Sequence, residues 1–310
     1  MRLSEFWPLL ERIAREEGVA RLGASGLTDA HAPLFAEWLA AGHHATMRYL
    51  ERNRTIRTNP SERFPWAKSA VVILVPYESR RPDAPPGALT NHIARYAFGD
   101  DYHDVLDAIL RKFEEALAPH KTWRYVDTGP LSDRALATQA GLGWIAKNAM
   151  LINEQIGSYT FIGTLLTSLE NDIEPAAVAD RCGTCTRCLD ACPTHAILPD
   201  RTVASEHCIS YATIEHRGPL PPTLPLAGYA FGCDICQEVC PWNHAPAPTH
   251  PAFTPRDEYR NTPVSDLLRL AQADFSTLFR KSAIKRAKLE GMRRNAAALT
   301  EEEGRGMLKS

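Results

Sequence analysis

Residues 181–193 read Arg181-Cys-Gly-Thr-Cys-Thr-Arg-Cys-Leu-Asp-Ala-Cys-Pro193, a Cys182-x2-Cys185-x2-Cys188-x3-Cys192-Pro run. In this bacterial pattern three closely spaced thiolates hold one [4Fe–4S] cube and the fourth reaches a second. The proline then turns the chain away from the first cluster. A second half, Cys233-x2-Cys236-x3-Cys240-Pro241, ends the same way but lacks its first cysteine, and Cys208 fills that position. The spacing therefore assigns Cys182, Cys185, Cys188 and Cys240 to one cluster, and Cys192, Cys208, Cys233 and Cys236 to the other. Paired zinc sites are the competing reading, because Cys-x2-Cys also binds zinc, but interleaved runs that both close on Cys-Pro are the cluster pattern. Clusters so arranged form a wire for single electrons.

All eight cysteines fall between Cys182 and Cys240. Thiols confined to one segment point to metal ligation in a reducing compartment rather than to a disulfide framework. The N-terminus, MRLSEFWPLLERIAREEG, has no uninterrupted apolar stretch, so the chain is expected in the cytoplasm and off the membrane. With 310 residues, 44% of them hydrophobic, it can bury a sizeable core. A net charge of −2 excludes any overall basic excess, so a nucleic-acid partner must meet a local patch.

Upstream, residues 1–175 read as an α/β domain. Helical spacing spans Leu3–Glu17 and Leu34–Asn53, and Ala70-Val-Val-Ile-Leu-Val75 is a short β-branched run suited to a buried strand. His103–Ala118 carries an amphipathic helical pattern, a shorter helix is expected at Leu131–Ala140, and Tyr159–Leu166 resembles a strand. Gly141-Leu-Gly143 with Ala146 imitates a dinucleotide fingerprint, yet a helix precedes it where a strand is required, so Gly141 reads as a helix C-cap. Prolines 82, 85 and 86 mark a loop, Pro219–Pro225 separates the cysteine halves, and Pro246–His250 closes the cluster segment. The expected division is 1–175, 176–245 and 246–310, the last helical and basic.

Four flanking segments carry a family resemblance: Val126-Asp-Thr-Gly-Pro-Leu-Ser-Asp-Arg134, Ala140-Gly-Leu-Gly-Trp-Ile-Ala-Lys-Asn148, Cys208-Ile-Ser-Tyr-Ala-Thr-Ile-Glu215 and Gly232-Cys-Asp-Ile-Cys-Gln237. In order and spacing, from the first helix to about Leu299, they resemble the epoxyqueuosine reductases, whose wider relatives are the reductive dehalogenases. The resemblance implies an α/β (α+β) cobalamin-binding domain, an inserted or appended ferredoxin-like two-cluster module and a short helical C-terminal segment. It implies an oxidoreductase that removes the epoxide oxygen of epoxyqueuosine in the tRNA anticodon loop, with cobalamin fed by two [4Fe–4S] clusters from an external low-potential donor. A dehalogenase acting on a small molecule and a plain electron-transfer protein are the rival readings.

By position, the resemblance places Arg57, Ala94, Asp127, Leu151, Ile162, Ser210 and Asp234 against the corrin. The B12 motif Asp-x-His-x-x-Gly is absent: Asp101-Tyr-His103 begins it, but Leu106 stands at the glycine position, leaving His103 a structural residue at a helix start. Asp127 is the expected proton donor, because opening an oxirane requires protonation of its oxygen, and desolvation beside the corrin is expected to raise its pKa. Without the family, Asp127 before Thr-Gly-Pro would read as a turn residue. Asp133, beside Arg134, is expected solvated or ion-paired. The stretch from Arg280 to Arg294 carries seven positive charges against Glu290, making Lys285, Arg286, Lys288, Arg293 and Arg294 candidate phosphate contacts. The resemblance implies longer relatives with a helical-repeat tail, and with Glu301–Glu303 acidic and the sequence ending at Ser310 no such tail is expected here.

Overall fold

The computed structural model describes residues 1–28, 31–77, 80–243 and 248–307. Pro246, Ser310 and the 245/246 boundary lie outside them. A 3-10 turn at Leu3–Glu5 leads into α1 (Trp7–Glu16), which buries Leu10 and Ala14 one turn apart. Strand β1 (Arg21–Ser25) follows, then α2 (Ala32–Ala40). The long helix expected over Leu34–Asn53 does not form. The chain breaks at Gly42 and Ala45, whose φ angles of 76° and 51° are incompatible with a right-handed helix, and it resumes as α3 (Arg48–Arg52) and α4 (Arg54–Thr58). Periodicity alone did not register that a single glycine would end the run.

Strand β2 (Ser69–Pro76) contains the apolar run, and every residue from Ala70 to Val75 is 0% exposed. Its two faces fill two cores, which is why the run does not alternate with polar residues. Val71, Ile73 and Val75 pack toward α1 and α5 (Tyr102–Ala116), while Ala70, Val72 and Leu74 pack toward α6 (Asp133–Gln139). Helix α5 presents Leu106, Ile109, Leu110 and Phe113 inward, and its N-cap Asp101 accepts the His103 backbone N–H at 3.1 Å. With β3 (Thr122–Tyr125), the two-residue strands β4 (Trp144–Ile145) and β5 (Leu151–Ile152) and β6 (Thr160–Thr167), the main sheet runs β1-β2-β6-β3. All three of its pairings are antiparallel. The fold is therefore mixed α and β without a parallel sheet among the described residues.

Gly141 caps α6, as its sequence position suggests. At φ 72° it donates to the Thr138 carbonyl at 3.0 Å, and Leu142 donates to that of Ala137 at 3.0 Å, the paired closure of a Schellman motif. A Cβ here would stand 2.6 Å from the backbone N and O of Ala176. Gly141→Ala is expected to cost about 2 kcal/mol or more, from left-handed strain plus that overlap. Differential scanning of the cluster-loaded protein would register this as a lowered midpoint; an unchanged midpoint would mean that Ala176 moves aside freely.

The cluster segment carries α7 (Arg187–Ala191), α8 (Ile209–Ile214) and α9 (Ile235–Glu238); α10 (Asp257–Asn261), α11 (Gln272–Leu278) and α12 (Lys288–Met307) follow. A third core joins Leu89, Ile93 and Phe98 to Tyr229 and Phe231, and both to Phe279, Ile284 and Met292. A backbone bond from Ala94 N–H to the Phe231 carbonyl, 2.8 Å, stitches the same regions. No helix among the described residues is long and apolar enough to cross a membrane.

Candidate active site

Two groups of thiols and one acid centre converge where the sheet meets the cluster segment. Cys182, Cys185, Cys188 and Cys240 line one cavity together with Trp242 and the 146–148 backbone turn. In this group Cys188 feels Cys182 and Cys240, and Cys240 feels Cys182 and Cys185. In the other group Cys233 feels Cys208 and Cys192, and Cys236 feels Cys233 and Cys208. Burial pushes the Cys233 thiol up to about 12 and that of Cys236 well up. Thiols packed this way ionise at neutral pH only against a cation, so the residues fit metal-bound groups. Lys147 Nζ donates to the Gly183 and Cys185 carbonyls at 2.8 and 2.9 Å, fixing the first loop.

Asp127 follows β3 at φ 50°, a left-handed conformation that aspartate tolerates better than most residues. The loop after it is held by its carbonyls: Arg57 donates to those of Gly129 and Leu131 at 2.8 Å each, and Tyr125 OH to that of Asp127 at 2.8 Å. Asp127 Oδ2 accepts from Tyr102 OH at 2.7 Å and stands 3.5 Å from His103 Nε2. The other imidazole nitrogen, Nδ1, is 2.7 Å from Asp101 Oδ1. Asp101 thus caps α5 and orients the ring that faces Asp127. Tyr102 is clamped between Phe161, stacked at 4.5 Å, and the imidazole at 4.0 Å.

The electrostatics correct two expectations. Burial alone would raise the Asp127 carboxyl, but the His103 imidazole 3.5 Å away and the hydrogen bond from Tyr102 OH outweigh it and hold the group below its ordinary value. Desolvation likewise opposes the His103 imidazolium, yet Asp101 and Asp127 together lift it to about 9. At neutral pH the proton rests on His103 and Asp127 is ionised, so His103 is more than a structural residue at a helix start. Asp133 is half-buried and makes no ion pair among the described residues. Its Oδ1 is enclosed without a hydrogen-bond partner, and desolvation, then the nearby Asp127 charge, pushes its pKa well up.

Asp127 and Arg134 are exposed to solvent, yet protein surrounds both so closely that desolvation is the largest influence on each. Groups in that condition line an open cleft. Tyr96, which feels both Asp127 and Asp234, connects the two sides of it. Of the other positions expected against a corrin, Arg57 is half-buried with an unpartnered Nε, and Ile162 and Ser210 are half-buried. Ala94 and Asp234 are 1% exposed and Leu151 is 4%. Asp234 accepts the Arg95 backbone N–H at 2.8 Å and its guanidinium at 3.0 Å, so its carboxylate is already engaged. An open cleft with an unpartnered arginine nitrogen just beneath its surface fits a large ligand with polar side arms.

In the basic stretch the structure separates residues that looked equivalent. Arg294 donates to the carbonyls of Ala212, His216 and Gly218, tying α12 to the end of α8, and Arg293 donates to Leu270 O. Arg286 pairs with Glu215 through both Nε and Nη2, at 2.8 and 3.0 Å. Lys285 and Lys288 are exposed, with no carboxylate within 4 Å among the described residues. Sequence reasoning missed Tyr102 and Tyr96, and it gave His103 no part in the centre. Asp101-Tyr-His103 at the start of an amphipathic helix was the available signal, but nothing local tied it to Asp127.

Two cysteine quartets together with a carboxylate–imidazole centre define an iron–sulfur oxidoreductase. Residues 181–243 match the family model "4Fe-4S double cluster binding domain", and residues 57–128 match "Epoxyqueuosine reductase QueG, DUF1730". The epoxyqueuosine reductase of Leadbetterella byssophila is 37% identical over 90% of this chain and 93% of its own, and that of Synechocystis is 39% identical over 87% and 95%. An epoxyqueuosine reductase solved with an epoxyqueuosine-modified tRNA-Tyr stem loop superposes with a TM-score of 0.85 at 31% identity, covering 94% of this chain and 81% of that one. The chain belongs to the epoxyqueuosine reductase family, and it carries two [4Fe–4S] clusters.

Proposed function

We infer that this chain reduces epoxyqueuosine to queuosine in the anticodon loop of tRNA, working in the cytoplasm with cobalamin and an external low-potential electron donor. The observation that carries the reading is the Asp127–His103–Tyr102 centre, open to solvent, in a chain alike to this family over nine-tenths of its length. As working units we take 1–175 for catalysis, 176–245 for the clusters and 246–310 as the basic helical segment.

Turning an epoxide into an alkene breaks both carbon–oxygen bonds, takes two electrons and needs two protons, the oxygen leaving as water. Cobalamin, when bound, supplies the strongly reducing metal centre for that chemistry, and Arg57, Ala94, Leu151, Ile162, Ser210 and Asp234 would hold it together with Asp127. One of the two protons belongs to the chain's own residues, and the other comes from solvent reaching the exposed Asp127. Asp127 faces the departing oxygen, and His103 holds the proton at Nε2, 3.5 Å from Asp127 Oδ2, ready to protonate it as negative charge develops. Tyr102 OH fixes the carboxylate, and Arg57 fixes its loop. Desolvation pushes the Asp133 carboxyl well above its ordinary value, which disfavours a second negative charge beside the centre.

Conversion of epoxyqueuosine-containing tRNA by reduced, cobalamin-loaded protein tests the reading; absence of queuosine with both cofactors in place would overturn it. The pH profile tests the proton's resting place. Because His103 is raised from 6.5 to about 9, the imidazolium and the stability it lends are fully present below about 6.5 and lost as pH rises through about 9. The single-turnover rate should therefore fall above about pH 9, and His103→Gln should abolish that limb. A variant that retained the same alkaline limb would assign it to another group.

A further inference from the structure

Helices α3 and α4 take no part in the chemistry beyond Arg57, yet their outer surface is the basic face that sequence patterning did not single out. Arg48, Arg52 and Arg54 are exposed, and among the described residues no carboxylate lies within 4 Å of any of them. Glu51 is the acid of this stretch, and it turns to His44 at 3.0 Å. Some exposed arginines elsewhere are engaged, Arg181 by Glu154, Arg260 by Asp257 and Arg286 by Glu215, whereas these three stand free within seven residues of one another. Leaving three guanidiniums unpaired in a chain of net charge −2 makes this a local positive field. Arg48 and Arg52, four residues apart, share a helix face with an axial offset of about 6 Å.

The face lies at the rim of the catalytic cleft. Tyr49, next to Arg48 on α3, has its ring 5.9 Å from the Arg286 guanidinium, and it feels the Asp127 charge. Arg57, on α4, grips the Asp127 loop itself. A strand whose nucleoside enters the cleft must pass this rim, and its phosphates carry the complementary charge. We propose that the α3–α4 arm binds the phosphate backbone of the RNA strand flanking the nucleoside at Asp127, through Arg48, Arg52 and Arg54. The proposal rests on the reading of the chain as a tRNA-acting reductase. Guanidiniums suit this task because each offers a fork of donors to phosphate oxygens.

The test compares full-length holoenzyme with its R48Q/R52Q/R54Q variant, at matched iron and cobalt content, for binding of a tRNA-Tyr anticodon stem loop across a salt series. The variant should bind at least about tenfold more weakly at low salt, with the slope of log affinity against log salt reduced by about 0.7 for each phosphate no longer neutralised. Identical affinity and slope would overturn the arm while leaving the wild type's conversion of modified tRNA, and hence the functional reading, intact. Unchanged RNA binding with slower reduction by an acidic electron-carrier protein would also overturn it, making the face a donor dock. A wild-type holoenzyme that neither binds the stem loop nor converts the tRNA would overturn both.

Discussion

Asp127→Asn is expected to leave iron, sulfide and cobalt content at wild-type levels and to slow single-turnover conversion roughly 10²- to 10⁴-fold, the usual contribution of a positioned proton-transfer group. Asparagine is the informative replacement because position 127 sits at φ 50°, where asparagine is tolerated as readily as aspartate. It keeps the side chain's size and can still accept from Tyr102 OH, 2.7 Å away in the parent. What it loses is the charge that holds His103 protonated and the oxygen through which the proton passes. The variant's His103 should therefore titrate lower, while Asp101 still supports it. A missing cobalt would assign Asp127 a structural role. Near-normal conversion at matched cofactor content would remove it from the mechanism.

The second large effect is expected at Cys208. This residue stands alone, 16 positions after Cys192 and 25 before Cys233, and its place in the second quartet rests on Cys192 and Cys233 lying within its electrostatic reach. Cys208→Ala should cost about four of the roughly eight irons expected for two cubes. Conversion by an external donor should fall to background, because one of the two quartets would be gone. Iron and sulfide analysis with electron paramagnetic resonance on the reduced protein would show one cluster signal in place of two interacting ones. A full iron complement would show that a different group supplies the corner.

Several features were legible in the sequence because the physics behind them is local. Thiolates two and three residues apart can reach neighbouring corners of one cube whatever the rest of the chain does, so residues 182–192 declared their ligand chemistry directly. An apolar run short enough for a strand and a repeat of 3.6 residues over His103–Ala118 are equally local, and both elements stand where the patterns placed them. The Gly141 cap was readable because a left-handed residue after a helix is a property of that one residue. The family likeness added the proton donor, the corrin wall and the substrate, none of which composition or spacing carries.

The state of that donor was a different matter, for its sign is a small difference between opposed effects. Desolvation raises Asp127 and its polar neighbours lower it, and which prevails depends on His103 and Tyr102, two dozen residues earlier, arriving at 3.5 and 2.7 Å. The same holds for charge on the surface: Arg294 and Arg48 look alike as letters, but packing commits the first to three carbonyls and leaves the second without a carboxylate partner. By itself, then, the sequence determined the two clusters, the central strand and the main helix of the sheet layer, because short-range geometry dictates them. Only the tertiary structure decided where the proton rests, which arginines are free to meet a phosphate and how the three cores join, because each depends on distances between segments that no local pattern encodes.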